Sequence, residues 1–182
     1  IVGVIAIQLL SFAALAQTSS DWPTFGGQPG GGQYSALEQI NVDNVDQLEV
    51  AWTHQSGDKA WLEVTPIHAN NMLYYCSPMN RVIALDPATG EEKWRFDPHA
   101  DEGGLGLVDA ARRVVRCRSV AYWEAETPRP GVACEKRVYK GDIDGHLFAI
   151  DADTGASCSD FGADKGHNGF ASHWDYEGNG AG

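Results

Sequence analysis

Four cysteines and a run of aspartates are the side chains of this 182-residue sequence whose types and spacing first suggest chemistry. Cys76, Cys117, Cys134 and Cys158 lack the close Cys-x-x-Cys spacing that a zinc site favours, and no two are adjacent. Structural disulfides suit them better, and four cysteines allow three pairings. Cys134 precedes one strand of a repeated unit and Cys158 follows that unit's turn, so their bridge would close a loop inside it. Closing such a loop contributes about 3 kcal/mol on the chain-entropy view. Cys76 and Cys117 are then left to pair with each other or to stay free. Asp142, Asp144, Asp151 and Asp153 form a second tempting set, as oxygen ligands for a hard cation. Asp151 and Asp153 are more simply turn residues, because an aspartate accepts hydrogen bonds from the backbone of its own turn. His167 and His173 fall where no pattern is visible and receive no role.

The elements that must position these residues announce themselves by repetition. Val82-Ile83-Ala84-Leu85-Asp86-Pro87-Ala88-Thr89-Gly90 returns 65 residues later as Leu147-Phe148-Ala149-Ile150-Asp151-Ala152-Asp153-Thr154-Gly155. Each copy is an apolar strand running into an Asp-x-x-Thr-Gly turn. A second strand precedes each copy, at Met72–Tyr75 and at Arg137–Tyr139. Further strands are expected at Glu49–Thr53, at Thr65–His68 with Asn70-Asn71 as its hairpin turn, at Glu91–Phe96 and over Val114–Trp123. Leu37 to Leu48 has the spacing of one or two helical turns. The second repeat departs from the first in one respect: Ser159 stands where Trp94 stands in the first copy. Many short strands without a long helix argue an all-β fold, and four-stranded units in series argue a propeller over a sandwich. In a propeller, the Asp-x-x-Thr-Gly turn and the tryptophan a few residues beyond it would lock one blade to the next. Units of this kind bury their apolar faces only by stacking. Two of them cannot close a ring, so the fold is expected to be longer than this chain.

The net charge of −12 argues against nucleic acid as a partner, since phosphate binding needs a basic surface. Residues 1–16 are apolar apart from Gln8 and Ser11, and Ala14-Leu15-Ala16 offers small residues before a cleavage point. This reads as a secretory signal segment lacking its basic start, shorter than the roughly 20 residues that span a bilayer. An exported, disulfide-permissive setting follows. Residues 17–162 are read as the first blades of the propeller. Residues 163–182, with five glycines between Gly166 and Gly182, are read as an irregular tail.

In order along the chain, Trp22-Pro-Thr-Phe-Gly-Gly27, Tyr34-Ser35-x-Leu37-x-x-Ile40-Asn41-x-x-Asn44-Val45-x-x-Leu48 and Ala51-Trp52 resemble the opening of the pyrroloquinoline quinone (PQQ) dependent dehydrogenases. Thr65-Pro66, Leu73-Tyr74-x-Cys76, Asn80-Arg81-Val82-x-Ala84-Leu85-Asp86, Arg118-Ser119-Val120-Ala121-Tyr122-Trp123 and Gly145-His146-Leu147-x-Ala149-Ile150-Asp151-Ala152-x-Thr154-Gly155 continue the resemblance. The single Cys76 and the positions of Cys134 and Cys158 look most like the membrane glucose-dehydrogenase branch. The adjacent cysteine pair of the alcohol branch is replaced here by Arg112-Arg113. The resemblance implies an eight-bladed propeller, incomplete in this chain, that holds PQQ and a calcium ion near its axis. It also implies a small alcohol or sugar as substrate, a quinone or cytochrome as electron acceptor, a periplasmic location and a peripheral association with the membrane. Arg118 matches the arginine that pairs with a PQQ carboxylate, which suits a rigid guanidinium fork. Arg81 is a second candidate for the cofactor, and Trp123, where the glucose branch often carries histidine, a third. Ser119 replaces the family glycine after Arg118. No residue of this chain matches the calcium ligands or the catalytic aspartate, which the family takes from later blades. The chain alone is therefore expected to be inactive.

Two other readings compete. A non-enzymatic propeller of the same repeat, acting as an envelope scaffold or sensor, would keep the Asp-x-x-Thr-Gly turns but lacks the Trp22-to-Asn44 opening and the Arg118-to-Trp123 segment. A secreted sugar-binding module could use Trp61, Trp123 and Trp174 as stacking platforms, but it leaves the 65-residue repeat without explanation.

Overall fold

The computed structural model describes residues 21–27, 30–59, 61–98, 117–142, 145–165 and 167–172. The signal-like segment 1–16, Arg112-Arg113, Asp144, His173 and Trp174 lie outside these described residues.

Among the described residues, two four-stranded antiparallel sheets carry the fold, each with its strands in sequence order. The first holds β1 (Ile67–Ala69), β2 (Met72–Cys76), β3 (Val82–Leu85) and β4 (Glu92–Phe96). The second holds β5 (Ala121–Glu124), β6 (Lys136–Gly141), β7 (His146–Asp151) and β8 (Phe170–Ser172). The β1–β2 connection is the expected Asn70-Asn71 turn, both residues at positive φ (51° and 55°), a geometry asparagine tolerates and a tight right-twisted hairpin needs. The repeated Asp-x-x-Thr-Gly turns close on the aspartate. Asp86 Oδ1 accepts from the N–H groups of Ala88 and Thr89, and Asp151 Oδ1 does the same for Asp153 and Thr154. Burial pushes the Asp151 carboxyl up, but the hydrogen bonds from Cys134, Thr154 and Asp153 more than offset this and hold it below the usual carboxylate range.

Side-chain alternation decides how the sheets meet. Ile67, Ala69, Tyr74, Cys76, Val82, Ala84 and Trp94 on one face of the first sheet join Val138, Phe148 and Ile150 of the second, with the flanking Val120 and Ala152, in one buried core. The opposite face of the first sheet buries Tyr75, Ile83 and Leu85 under Trp52 and Val64. The seam between the sheets is polar at its edges. At the turn end, Asn70 donates to Asp153 Oδ1 at 2.7 Å and accepts from Lys136 Nζ at 2.6 Å. Trp94 Nε1 donates to the Ala152 carbonyl at 3.0 Å, so the tryptophan after the first turn does lock onto the second unit's turn.

Four expectations need correction. Glu49–Thr53 forms no strand: among the described residues its backbone has no ladder partner, and Trp52 is instead anchored by its indole N–H to Pro87 O at 3.0 Å. The 37–48 stretch yields only a 3-10 turn over Val45–Gln47, because its apolar side chains stay exposed and no packing stabilises a helix. The strand expected over Val114–Trp123 begins only at Ala121, and residues 114–116 lie outside the described set. The stretch read as an irregular tail supplies β8, paired to β7 with Phe148 opposite Phe170. In the first sheet the fourth strand follows its turn at once. In the second, Cys158 and a 3-10 turn over Ala163–Lys165 intervene before it. This insertion is why Ser159 does not play the part of Trp94.

Candidate cofactor site

The end of the two sheets opposite the Asp-x-x-Thr-Gly turns gathers the arginines singled out in the sequence. There β2 finishes at Cys76, the tight 77–81 loop leads into β3, and Cys117-Arg118 leads towards β5. The disulfide Cys76–Cys117 joins the two blades at this point. The Thr65 N–H donates to the Arg118 carbonyl at 2.8 Å, a second link across the seam. The remaining disulfide, Cys134–Cys158, lies at the other end of the second blade and closes a loop within it.

Arg118 and Arg81 come to the same end but sit in different chemistry. The Arg118 side chain is 73% exposed, and its Nη2 stands 3.6 Å from Glu63 Oε2. That distance is too long for a tight bidentate pair, so the guanidinium keeps donors for another acceptor. The fork of Arg81 is occupied. Its Nη1 donates to Asp58 Oδ1 at 2.5 Å and its Nε to Asp97 Oδ2 at 2.8 Å. The Asp58 side chain is fully buried. The bond to Asp97, against a smaller opposing cost of burial, holds the Arg81 guanidinium more firmly charged than usual. Asp58 also accepts from the Met79 N–H at 3.0 Å, so the pair fixes the 77–81 loop. Trp123 is not brought to the arginines. It faces away from the first blade, opposite Arg137 in the β5–β6 register, with that guanidinium 5.6 Å from its ring.

Three residues at this end escaped the sequence reading. Glu63 carries no signal beyond its place two residues before Thr65-Pro66. Lys140 could have been found: it shares the inward face of β6 with Lys136 and Val138, an odd place for a cation. It is 1% exposed, and its Nζ donates to Asn80 Oδ1 at 3.0 Å and to the Gly141 carbonyl. Burial pulls its pKa down to about 8, with Asp142 opposing. Asn80 stands at φ 64°, and its Nδ2 has no partner among the described residues.

As a metal centre the described residues offer little. Cys134, Cys158 and Asp160 bring potential ligand atoms within 4.8 Å of one another, but both sulfurs are spent in the disulfide. Asp142, one of the tempting aspartates, accepts instead from the backbone and the ring of His146. Asp151 is consumed by its turn.

Residues 22–170 match the family described as "PQQ: Glucose/ethanol/alcohol dehydrogenase, beta-propeller domain". The chain belongs to this family. Quinoprotein glucose dehydrogenase A of Acinetobacter calcoaceticus is 38% identical over 162 residues, covering 79% of this chain and 20% of that protein. The quinoprotein glucose dehydrogenase of Escherichia coli is 39% identical, covering 80% and 19% respectively. The crystal structure of quinohemoprotein alcohol dehydrogenase from Comamonas testosteroni superposes with a TM-score of 0.60 at 31% identity, over 79% of this chain and 19% of that one. The two sheets are therefore blades of a PQQ dehydrogenase propeller, and the chain spans about a fifth of these relatives' length.

The donor set of this PQQ-family chain fits an acidic quinone cofactor at one residue. Arg118 presents an exposed fork suited to a carboxylate. Arg81, with both edges of its fork taken by aspartates, serves the loop instead.

Proposed function

We propose that this chain is part of an exported PQQ-dependent dehydrogenase that oxidises an alcohol or a sugar and passes the electrons to a quinone or a cytochrome. Family membership supports the reaction class. The exposed Arg118 guanidinium beside Glu63, at the end of the blades away from the repeated turns, is the single observation that carries the cofactor reading. Relatives named for glucose, quinate or shikimate, and glycerol share this stretch of chain. The substrate is accordingly assigned as a CH–OH compound and no further.

When bound, PQQ supplies the electron-accepting quinone, and the protein supplies orientation and electrostatics. In this chain Arg118 would hold a cofactor carboxylate through its paired N–H donors. Glu63 restrains the guanidinium on its other side. Arg81, Asp58 and Asp97 keep the 77–81 loop rigid behind it. Calcium ligands and a proton-abstracting carboxylate are assigned to no described residue of this chain. In our reading they come from other blades. The apolar run at residues 1–16 and the two disulfides support a periplasmic location. Peripheral membrane association is part of the same proposal.

The test is a fluorescence titration of the full-length apoprotein with PQQ. Saturable binding that weakens on Arg118→Ala supports the reading, and no binding by the wild type overturns it. This chain alone, given PQQ, calcium, a dye acceptor and a panel of sugars and alcohols, should show no turnover above a blank without protein.

A further inference from the structure

Arg118 lies three residues before β5 begins, yet its backbone is referenced to the other blade at two points. Cys117, the preceding residue, is bonded to Cys76 at the end of β2. The Arg118 carbonyl itself accepts from Thr65, in the segment leading to β1. That same segment carries Glu63, the carboxylate 3.6 Å from the guanidinium. Both sulfurs are buried, with Cys76 at 0% and Cys117 at 7% exposure, so the link is shielded from solvent reductants. The Arg118 side chain, in contrast, is long and mostly exposed. Its backbone anchor and the Glu63 carboxylate together limit where the guanidinium can reach.

We propose that the Cys76–Cys117 disulfide is a positioning element for Arg118, fixing the arginine against Glu63 across the blade seam so that the guanidinium meets a cofactor carboxylate. The inference rests on the PQQ reading above. It assigns to this disulfide a role in cofactor binding that the second one does not share. Cys134–Cys158 sits at the opposite end of its blade, where the Cys134 N–H donates to Asp151 Oδ2.

The pair of disulfides supplies the experiment. Full-length apoprotein carrying Cys76→Ser with Cys117→Ser, or Cys134→Ser with Cys158→Ser, is titrated with PQQ at a temperature where both variants keep the wild-type far-ultraviolet circular dichroism. Loss of Cys76–Cys117 should raise the Kd about tenfold or more. Loss of Cys134–Cys158 should lower the melting temperature but leave the Kd within about twofold. Adding Arg118→Ala to the first variant should weaken binding no further than Arg118→Ala alone, since groups acting as one unit are not additive. Should the Cys76/Cys117 variant fail to fold, Thr65→Pro removes the other anchor by deleting its N–H donor, and Thr65→Ala retains it. The proline variant should lose affinity and the alanine variant should not. Equal Kd effects from both disulfides, an unchanged Kd without Cys76–Cys117, or full additivity with Arg118→Ala overturns the positioning role while leaving PQQ binding intact. A wild type that does not bind PQQ removes the functional reading itself.

Discussion

Trp94 packs against Gly155 of the neighbouring blade so closely that a Cβ on the glycine would lie 2.8 Å from its ring. The indole N–H meanwhile donates to Ala152 O, three residues earlier in the same turn. The contact has a twin. Trp52 donates to Pro87 O, and a Cβ on Gly90 would lie 2.4 Å from its ring. Both glycines also stand at positive φ, 72° and 78°. The final glycine of the Asp-x-x-Thr-Gly repeat is thus required twice, by its own backbone and by a tryptophan arriving from outside the turn.

Gly155→Ala in the full-length protein should therefore cost about 2–4 kcal/mol, from left-handed strain together with overpacking. Trp94→Phe relieves the crowding but removes the indole donor, and should cost about 1–2 kcal/mol. The Ala152 carbonyl would keep its bond from Tyr74 Oη. The double variant should be less destabilised than the sum of the two. Urea unfolding of the four proteins checks this, and strict additivity would show that the two residues do not communicate.

Arg81 and Arg118 should separate stability from binding. Arg81→Ala strands the buried Asp58 carboxylate and should cost about 3 kcal/mol or more in unfolding free energy. Arg118→Ala removes an exposed pair with Glu63, worth less than about 1 kcal/mol. It should leave the melting temperature near wild type while weakening PQQ binding. Melting curves and PQQ titrations on the two variants give the comparison. The reverse pattern would exchange the roles assigned to the two arginines.

Much of this was legible in the residues because the repeat carries its own physics. An Asp-x-x-Thr-Gly turn after an apolar strand constrains backbone and capping together, so the positions of β2, β3, β6 and β7 are legible in the residues. Glu49–Thr53 misled because alternation reports a side chain's environment and not a ladder partner. β8 was missed because Phe170-Ala171-Ser172 is too short to show a period. Its stability comes from Phe170 against Phe148 and His146, contacts made only after folding. The site was harder. Sequence shows that an arginine is present but not whether its fork is already filled. Asp58 and Asp97, 23 and 16 residues from Arg81, carry no mark of that pairing.

Cys134–Cys158 should act on stability and on one region. It closes a loop of 24 residues, so its loss should cost about 3 kcal/mol on the chain-entropy account. The loop beyond it hangs on few backbone bonds, among them Ala149 N–H to Gly169 O and Gly169 N–H to Phe161 O. Hydrogen exchange in the reduced or Cys134→Ser/Cys158→Ser protein should therefore accelerate first at Gly169 and His167. Protection in β2 and β3 should be unaffected. Uniform acceleration across both blades would show that the bridge supports the whole unit.

Lys140 should give the protein an unusual alkaline dependence. Its folded-state pKa, pulled down to about 8 by burial, lies below its ordinary value of 10.5. Below about pH 8 both states carry the proton, and folding bears the full cost of burying the charge. Between these two values the unfolded chain holds a proton that the folded chain has released, so stability rises with pH. The whole shift corresponds to roughly 3 kcal/mol. Tyr74, raised by burial to about 12, begins to oppose this only above its own ordinary value of 10.0. The window from pH 7 to 9.5 therefore isolates the lysine. Wild-type stability measured by urea unfolding should increase across it relative to Lys140→Met, which cannot titrate. The methionine variant also deprives Asn80 Oδ1 of its donor, a penalty independent of pH, so the slope and not the offset is the diagnostic quantity. Parallel curves for the two proteins would mean that the amine keeps its proton inside the seam.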